Sequence, residues 1–166
     1  MSDVTFYDCL EATKREIVNL NLPLIAPSSV IVHKALTDHE ETIFPAMPGV
    51  IVAPIGPEIM DVPGSTNQTN AIAYPVGVAF FANDGESRNE GRHGLNDQTH
   101  EFRERMRWRG NVIKRFHMQR LPGVDNVQTC LARPNTVLDV AQWRKRGIWI
   151  SAITLEFHAR ENRITN

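Results

Sequence analysis

Ala71-Ile72-Ala73-Tyr74-Pro75-Val76-Gly77-Val78-Ala79-Phe80-Phe81 sorts its residues by size with a period of two: Ile72, Tyr74, Val76, Val78 and Phe80 alternate with Ala71, Ala73, Gly77 and Ala79. Successive side chains of an extended chain point to opposite faces, so this pattern predicts a strand with one face that fills a core and another that admits close approach. Pro75 has no N–H to give to a ladder, which makes the strand an edge, or bulged, or longer than its paired portion. An edge strand invites a partner.

On the N-terminal side, Phe6, Cys9, Leu10, Ile17 and Leu20 recur at helical steps, with Thr5 and Asp8 in a capping-box-like arrangement. Pro23 stops this helix near Asn21. Residues 29 to 36 are rich in β-branched side chains and predict a strand; Pro48-Gly49 is a turn signal before a short strand at Val50-Ile51-Val52. On the C-terminal side, Phe102, Met106, Ile113 and Phe116 mark a helix from about Asp97 to His117, with Gly110 on the same stripe as a point of close approach to a sheet. Pro122-Gly123 repeats the Pro-Gly turn before a strand at 127 to 132, and 136 to 146 is helix-like until Gly147. In the last strand Trp149, Ile153, Leu155, Phe157 and Ala159 face one way and Thr154, Glu156, His158 and Arg160 the other, so one side is wet or meets a partner. The order α-β-β-β-α-β-β has no regular βαβ alternation. It predicts an α+β fold, a mainly antiparallel sheet of about five strands covered by two helices, with long polar loops near 37 to 48, 57 to 70 and 83 to 96.

At 166 residues the chain is one domain, and a chain of this size buries roughly 70% of its unfolded surface without staples. Its 18 Lys and Arg against 19 Asp and Glu give a net charge of -1, which argues against a protein that coats nucleic acid or membrane through bulk charge. A hydrophobic fraction of 42% separates it from disordered chains. No secretory leader and no run of ~18 apolar residues is visible, so a soluble protein made in the cytoplasm is expected, and the acceptor-like Asn67-Gln68-Thr69 is incidental.

Chemistry is sparse. No glycine precedes a Lys-Ser or Lys-Thr pair as a phosphate loop requires, and the histidines 33, 39, 93, 100, 117 and 158 form no pair at ligand spacing. His39-Glu40-Glu41 reads as a solvated turn, and Cys9 lies on an apolar helical stripe where a buried, inert thiol is expected, with Cys130 similar. No catalytic residue, cofactor or metal is expected. The strongest competing signal is the crowd of Arg103, Arg105, Arg107, Arg109, Lys114, Arg115 and Arg120 around Trp108, since cations interleaved with an aromatic track phosphates and stack bases. The alternative is a solvated or subunit-contacting helix face held by pairs with Glu101 and Glu104.

In element order, length and texture the chain resembles the tail terminator proteins of long-tailed bacteriophages. The segments that carry the resemblance are Pro27-Ser28-Ser29-Val30-Ile31-Val32, Pro48-Gly49-Val50-Ile51-Val52, the helix with Trp108-Arg109 and Val112-Ile113, the stretch from Pro134 to Trp143, and the closing Glu161-Asn162-Arg163. The glycine-rich loop at 83 to 96 is longer than such proteins need. The resemblance implies a virion protein of tail or neck, assembled in the host cytoplasm as a homo-oligomeric ring, commonly a hexamer. Such a ring caps the tail tube protein, stops its polymerisation and meets the head-neck connector, with the sheath as a further neighbour in a contractile tail and DNA at most passing through the lumen. Contacts are then expected at charged loop or terminal positions, with Glu40, Glu41, Asp61, Arg88, Arg92 and Arg163 as the candidates. Two alternatives stand beside it: a head-closure or tail-completion neck protein, and a nucleic-acid binder acting through Arg105 and Arg109 of the basic helix.

Overall fold

In the computed structural model, the residues described are 6–34, 46–60, 69–83, 95–141, 143 and 147–162. The elements are α1 (Phe6–Asn19), a 3-10 turn (Pro27–Ser29), β1 (Val30–Val32), β2 (Gly49–Pro54), β3 (Ile59–Met60), β4 (Thr69–Asn83), α2 (Leu95–Phe116), β5 (Val127–Pro134) and β6 (Ile148–Asn162). One mixed, mostly antiparallel sheet runs β1-β2-β4-β6-β5, with β3 also paired to β4 and β1 parallel to β2. The fold is α+β with two helices. The strand beyond the expected five is β3, whose two residues are too few to show any alternation within the breaker-rich stretch around them.

Neither the edge nor the bulge that Pro75 offers for the 71 to 81 strand is found. β4 lies at the centre, paired with β2 and β3 on one side and with β6 along its whole length on the other. Pro75 is tolerated there for a local reason. The Ile55 N–H donates to the Pro75 carbonyl at 3.2 Å, so the proline's backbone faces the side where β2 has ended at Pro54 and β3 has not begun at Ile59. The absent N–H therefore removes no ladder bond. Register with β6 continues unbroken through Pro75 and Glu156; the irregularity lies instead in β5, between Val127 and Thr129.

The large residues of β4 enter the main core, where Ile72, Tyr74, Val76, Val78 and Phe80 meet Leu10 and Ile17 of α1 and Val112 and Phe116 of α2. Both helices thus lie on one face. The other face carries a second apolar cluster, Ile51, Ala53, Ala79 and Phe81 with Ile31, Ile148 and Ile150 beside it, whose members come from strands alone. β6 alternates as predicted, with Trp149, Ile153, Leu155, Phe157 and Ala159 buried, and its inward phase is broken by one polar residue, the fully buried Ser151.

The inward stripe of α2 differs from the one read from sequence. Phe102 is exposed and Gly110 has nothing within 4 Å of where a Cβ would stand, so neither makes the expected close approach. Among the described side chains of α2 the buried ones are Glu104, Arg105, Trp108, Arg109, Val112 and Phe116. Two arginines were assigned to the wet face by their charge, yet each finds a partner inside. The two Pro-Gly pairs also differ: Gly49 opens β2, whereas Gly123 adopts φ +79° in a turn where the Arg15 guanidinium, donating to the Pro122 carbonyl at 2.8 Å, fills the space a Cβ would need. The stretch after Pro134 is helical at residues 140, 141 and 143, and Gly147 closes it at φ +66°.

The helices are tied to each other by Arg115 of α2, which donates to the Glu16 carboxylate of α1 through Nε at 3.0 Å and Nη2 at 2.5 Å. Glu16 retains only 8% of its surface. Removing one partner of a nearly buried pair leaves the other charge poorly solvated, so Glu16→Gln is expected to cost about 2 kcal/mol, less than a fully buried pair because Arg115 keeps some solvent. Urea unfolding of the two proteins measures this; an unchanged midpoint would show that the pair contributes nothing.

Candidate functional site

Nucleophile chemistry finds little support in the two thiols. Cys9 and Cys130 have no exposed surface, and burial pushes both up to about 12 from an ordinary 9.0. At neutral pH they are protonated and shielded, so iodoacetamide should label them in urea and leave the folded protein unmodified. The sign of the pH effect follows. The folded thiols hold protons that the unfolded ones release, so their contribution to stability is whole below about pH 9 and is lost as pH rises toward about 12. Cys130→Ala should therefore flatten the alkaline fall in stability seen in urea melts; an identical slope would contradict the assignment.

Two histidines, His117 and His158, are held by defined partners. His117 Nδ1 accepts the Ala132 N–H at 3.3 Å and the Met118 N–H donates to the Cys130 carbonyl at 2.7 Å, so the end of α2 covers the outer edge of β5. On the sheet face opposite the helices, Glu156 lies between His158 Nε2 at 2.7 Å and Arg133 Nε at 3.3 Å. This carboxylate joins β5 to β6 across the sheet surface. No group of three or more His, Cys, Asp or Glu among the described residues is placed to hold a metal ion.

The basic helix is largely engaged. Arg109 is 5% exposed, and its Nη1 donates to the Thr136 carbonyl at 2.9 Å, to Ser151 Oγ at 2.8 Å and to the Ala152 carbonyl at 2.7 Å, while Nη2 reaches the Asn135 carbonyl at 3.2 Å. Burial among neutral acceptors lowers its pKa from the ordinary arginine value. Arg105, also buried, lies over the Trp149 ring at 5.4 Å, and Arg107 pairs with Glu104 at 2.6 Å. Arg103, Lys114 and Arg120 remain exposed. Arg105 and Arg109 thus point into the fold, away from any phosphate backbone that the helix surface could meet.

The six charged contact candidates, Glu40, Glu41, Asp61, Arg88, Arg92 and Arg163, lie outside the described residues. The described surface instead brings together residues that sequence alone did not single out. Ile55, Ile59 and Met60, each 43 to 52% exposed, line the β3 flank of the sheet. On the opposite flank residues 135 to 139 run beside β6, where the Asn135 N–H donates to the Ala152 carbonyl at 3.3 Å and the Asp139 N–H to the Ile150 carbonyl at 3.0 Å. Val137 and Val140 are exposed there at 46% and 45%. Isoleucine and methionine in a stretch with Pro57 and Pro63, and valines between Pro134 and Trp143, carry a sequence signal only once their position at a sheet edge is known.

Compared with known proteins, the sequence matches no family model, and no curated protein matches it significantly. No helix among the described residues is long and apolar enough to cross a membrane.

Proposed function

We propose that this chain is a structural protein of a phage tail, a tail terminator that assembles as a ring of six copies, caps the tube and presents its other surface to the head-neck connector. The observation that carries the proposal is the distribution of exposed apolar side chains: both helices cover the same sheet face, and Ile55, Ile59 and Met60 on one flank and Val137 and Val140 on the other stay at the surface. Such a subunit is suited to edge-to-edge assembly, in which one patch meets a different patch on the next copy and the series closes.

Termination follows from the same asymmetry. A ring that satisfies the docking surface of the last tube layer but does not reproduce that surface stops further addition. The inward orientation of Arg105 and Arg109 favours this over the nucleic-acid reading, because their substitution would act on the fold before it acted on DNA affinity. Deleting the protein during virion assembly should yield tails of uncontrolled length. Tails of normal length would overturn the proposal, and co-purification with the portal side instead of the tube would reassign the chain to head closure.

A further inference from the structure

Among the described residues, Trp149 carries a buried side-chain donor that meets no acceptor: the residue is 2% exposed, and its indole N–H at Nε1 has no hydrogen-bond partner. Folded proteins rarely leave such a group unsatisfied. Its surroundings indicate what kind of acceptor it takes. Two guanidinium groups one turn apart on α2 face the same stretch of β6. Arg105 lies over the Trp149 ring at 5.4 Å, and Arg109 donates to Ser151 Oγ at 2.8 Å and to the Ala152 carbonyl at 2.7 Å. Trp149 and Ser151 are same-face neighbours on β6, ~7 Å apart along the strand. Both arginines are buried, and the four partners of Arg109 are neutral oxygens. Burial is the cause of its lowered pKa. The buried carboxylates described on the two helices are taken up elsewhere, Glu104 by Arg107 at 2.6 Å and Glu16 by Arg115 at 3.0 Å. A cation enclosed among neutral acceptors leaves a positive potential that favours a negative ligand.

We propose that Trp149 Nε1, beside the buried guanidinium groups of Arg105 and Arg109, binds a small monovalent anion, a halide or a carboxylate of the size of formate. The indole N–H donates to the anion, and the charge of Arg109 balances it. One negative charge matches the one arginine whose partners are all neutral, whereas a divalent ion would enclose a net negative charge. Size sets the same limit, because Trp108 meets the Trp149 ring edge to face at 6.3 Å and leaves little room for a tetrahedral oxyanion. Occupancy would tie α2 to β6 next to residues 135 and 136, which Arg109 already holds. The site belongs to a single copy of the chain and does not depend on the ring reading.

The test is a titration of the full-length, 15N-labelled wild-type chain, whose three tryptophans give three indole N–H resonances. Sodium chloride or sodium formate replaces sodium sulfate at constant ionic strength. The Trp149 resonance should shift and saturate at roughly millimolar chloride or formate, while that of Trp108, whose N–H donates to the Pro23 carbonyl, stays in place. Arg109→Met removes the balancing charge and should raise the midpoint about tenfold, and Arg109→Lys should restore most of the affinity. Should the methionine variant unfold, the wild-type titration decides alone. A Trp149 resonance that ignores both small anions, or that responds to sulfate as strongly, would overturn the proposal, and so would an unchanged midpoint in a folded Arg109→Met protein.

Discussion

Replacing Arg109 with methionine should destabilise the fold by about 3–5 kcal/mol, although the substitution exchanges a charged side chain for an apolar one of similar length. Arg109 is held by four neutral acceptors, the carbonyls of Asn135, Thr136 and Ala152 and the Ser151 hydroxyl, and none of these is a carboxylate. Methionine leaves the acceptors without that donor, the fully buried Ser151 hydroxyl among them. Some are satisfied in other ways: the Asn135 N–H donates to the Ala152 carbonyl at 3.3 Å and Ser151 Oγ donates to the Thr136 carbonyl at 3.0 Å, which keeps the cost below a simple sum. Arg109 reaches residues 135 and 136, at the start of the stretch that presents Val137 and Val140, so the variant should also loosen that flank. Arg109→Lys should recover only part of the stability, because an ammonium has three donors and lacks the planar spread of the guanidinium. Chemical unfolding monitored by circular dichroism measures the loss; a methionine variant within 1 kcal/mol of wild type, roughly the scatter of a single hydrogen bond, would show that the buried charge is not a fastener.

Trp108→Ala should cost about as much, 3–5 kcal/mol by comparison with other large-to-small core substitutions, roughly the figure for losing an indole from a packed core. The ring is 2% exposed, meets Trp149 edge to face at 6.3 Å, and donates from Nε1 to the Pro23 carbonyl at 2.8 Å. Its removal opens a cavity between α2 and β6 and frees the carbonyl in the turn that follows α1. Trp108→Phe separates the two contributions, because it keeps most of the aromatic volume and removes the donor; about 1–2 kcal/mol is expected for it. Equal losses from both variants would assign the whole effect to the hydrogen bond and contradict the packing argument.

The legible parts of the fold were those in which one physical signal dominates. β6 shows uninterrupted alternation of Ile153, Leu155 and Phe157 with Thr154, Glu156 and His158, and it is the half-buried strand that this pattern predicts. β4 was legible as a strand and misplaced as an edge, because the reason Pro75 fits in a central strand is the gap between β2 and β3, a tertiary fact. The face of α2 was misread for a related reason. Arginine at 105 and 109 reads as solvent-facing, but both fall in helical phase with Val112 and Phe116, and the break in the apolar phase of β6 at Ser151 marks where one of them enters. That pairing of a polar residue on a strand with a cation on a helix is visible in sequence only after the two elements are known to face each other. The flanks were hidden differently: β3 is two residues long, and the significance of Ile59 and Met60 comes from their place beside β4.

The central claim is that identical copies of this chain join through unlike surfaces into a closed ring. Electron microscopy of the purified full chain, with its mass in solution determined by sedimentation equilibrium, tests it most directly. Closed rings of uniform diameter whose mass is a fixed multiple of the monomer are predicted, and addition of tail tubes should place one such ring at a single end of each tube. A protein that stays monomeric at every concentration and leaves tube ends bare would contradict the account.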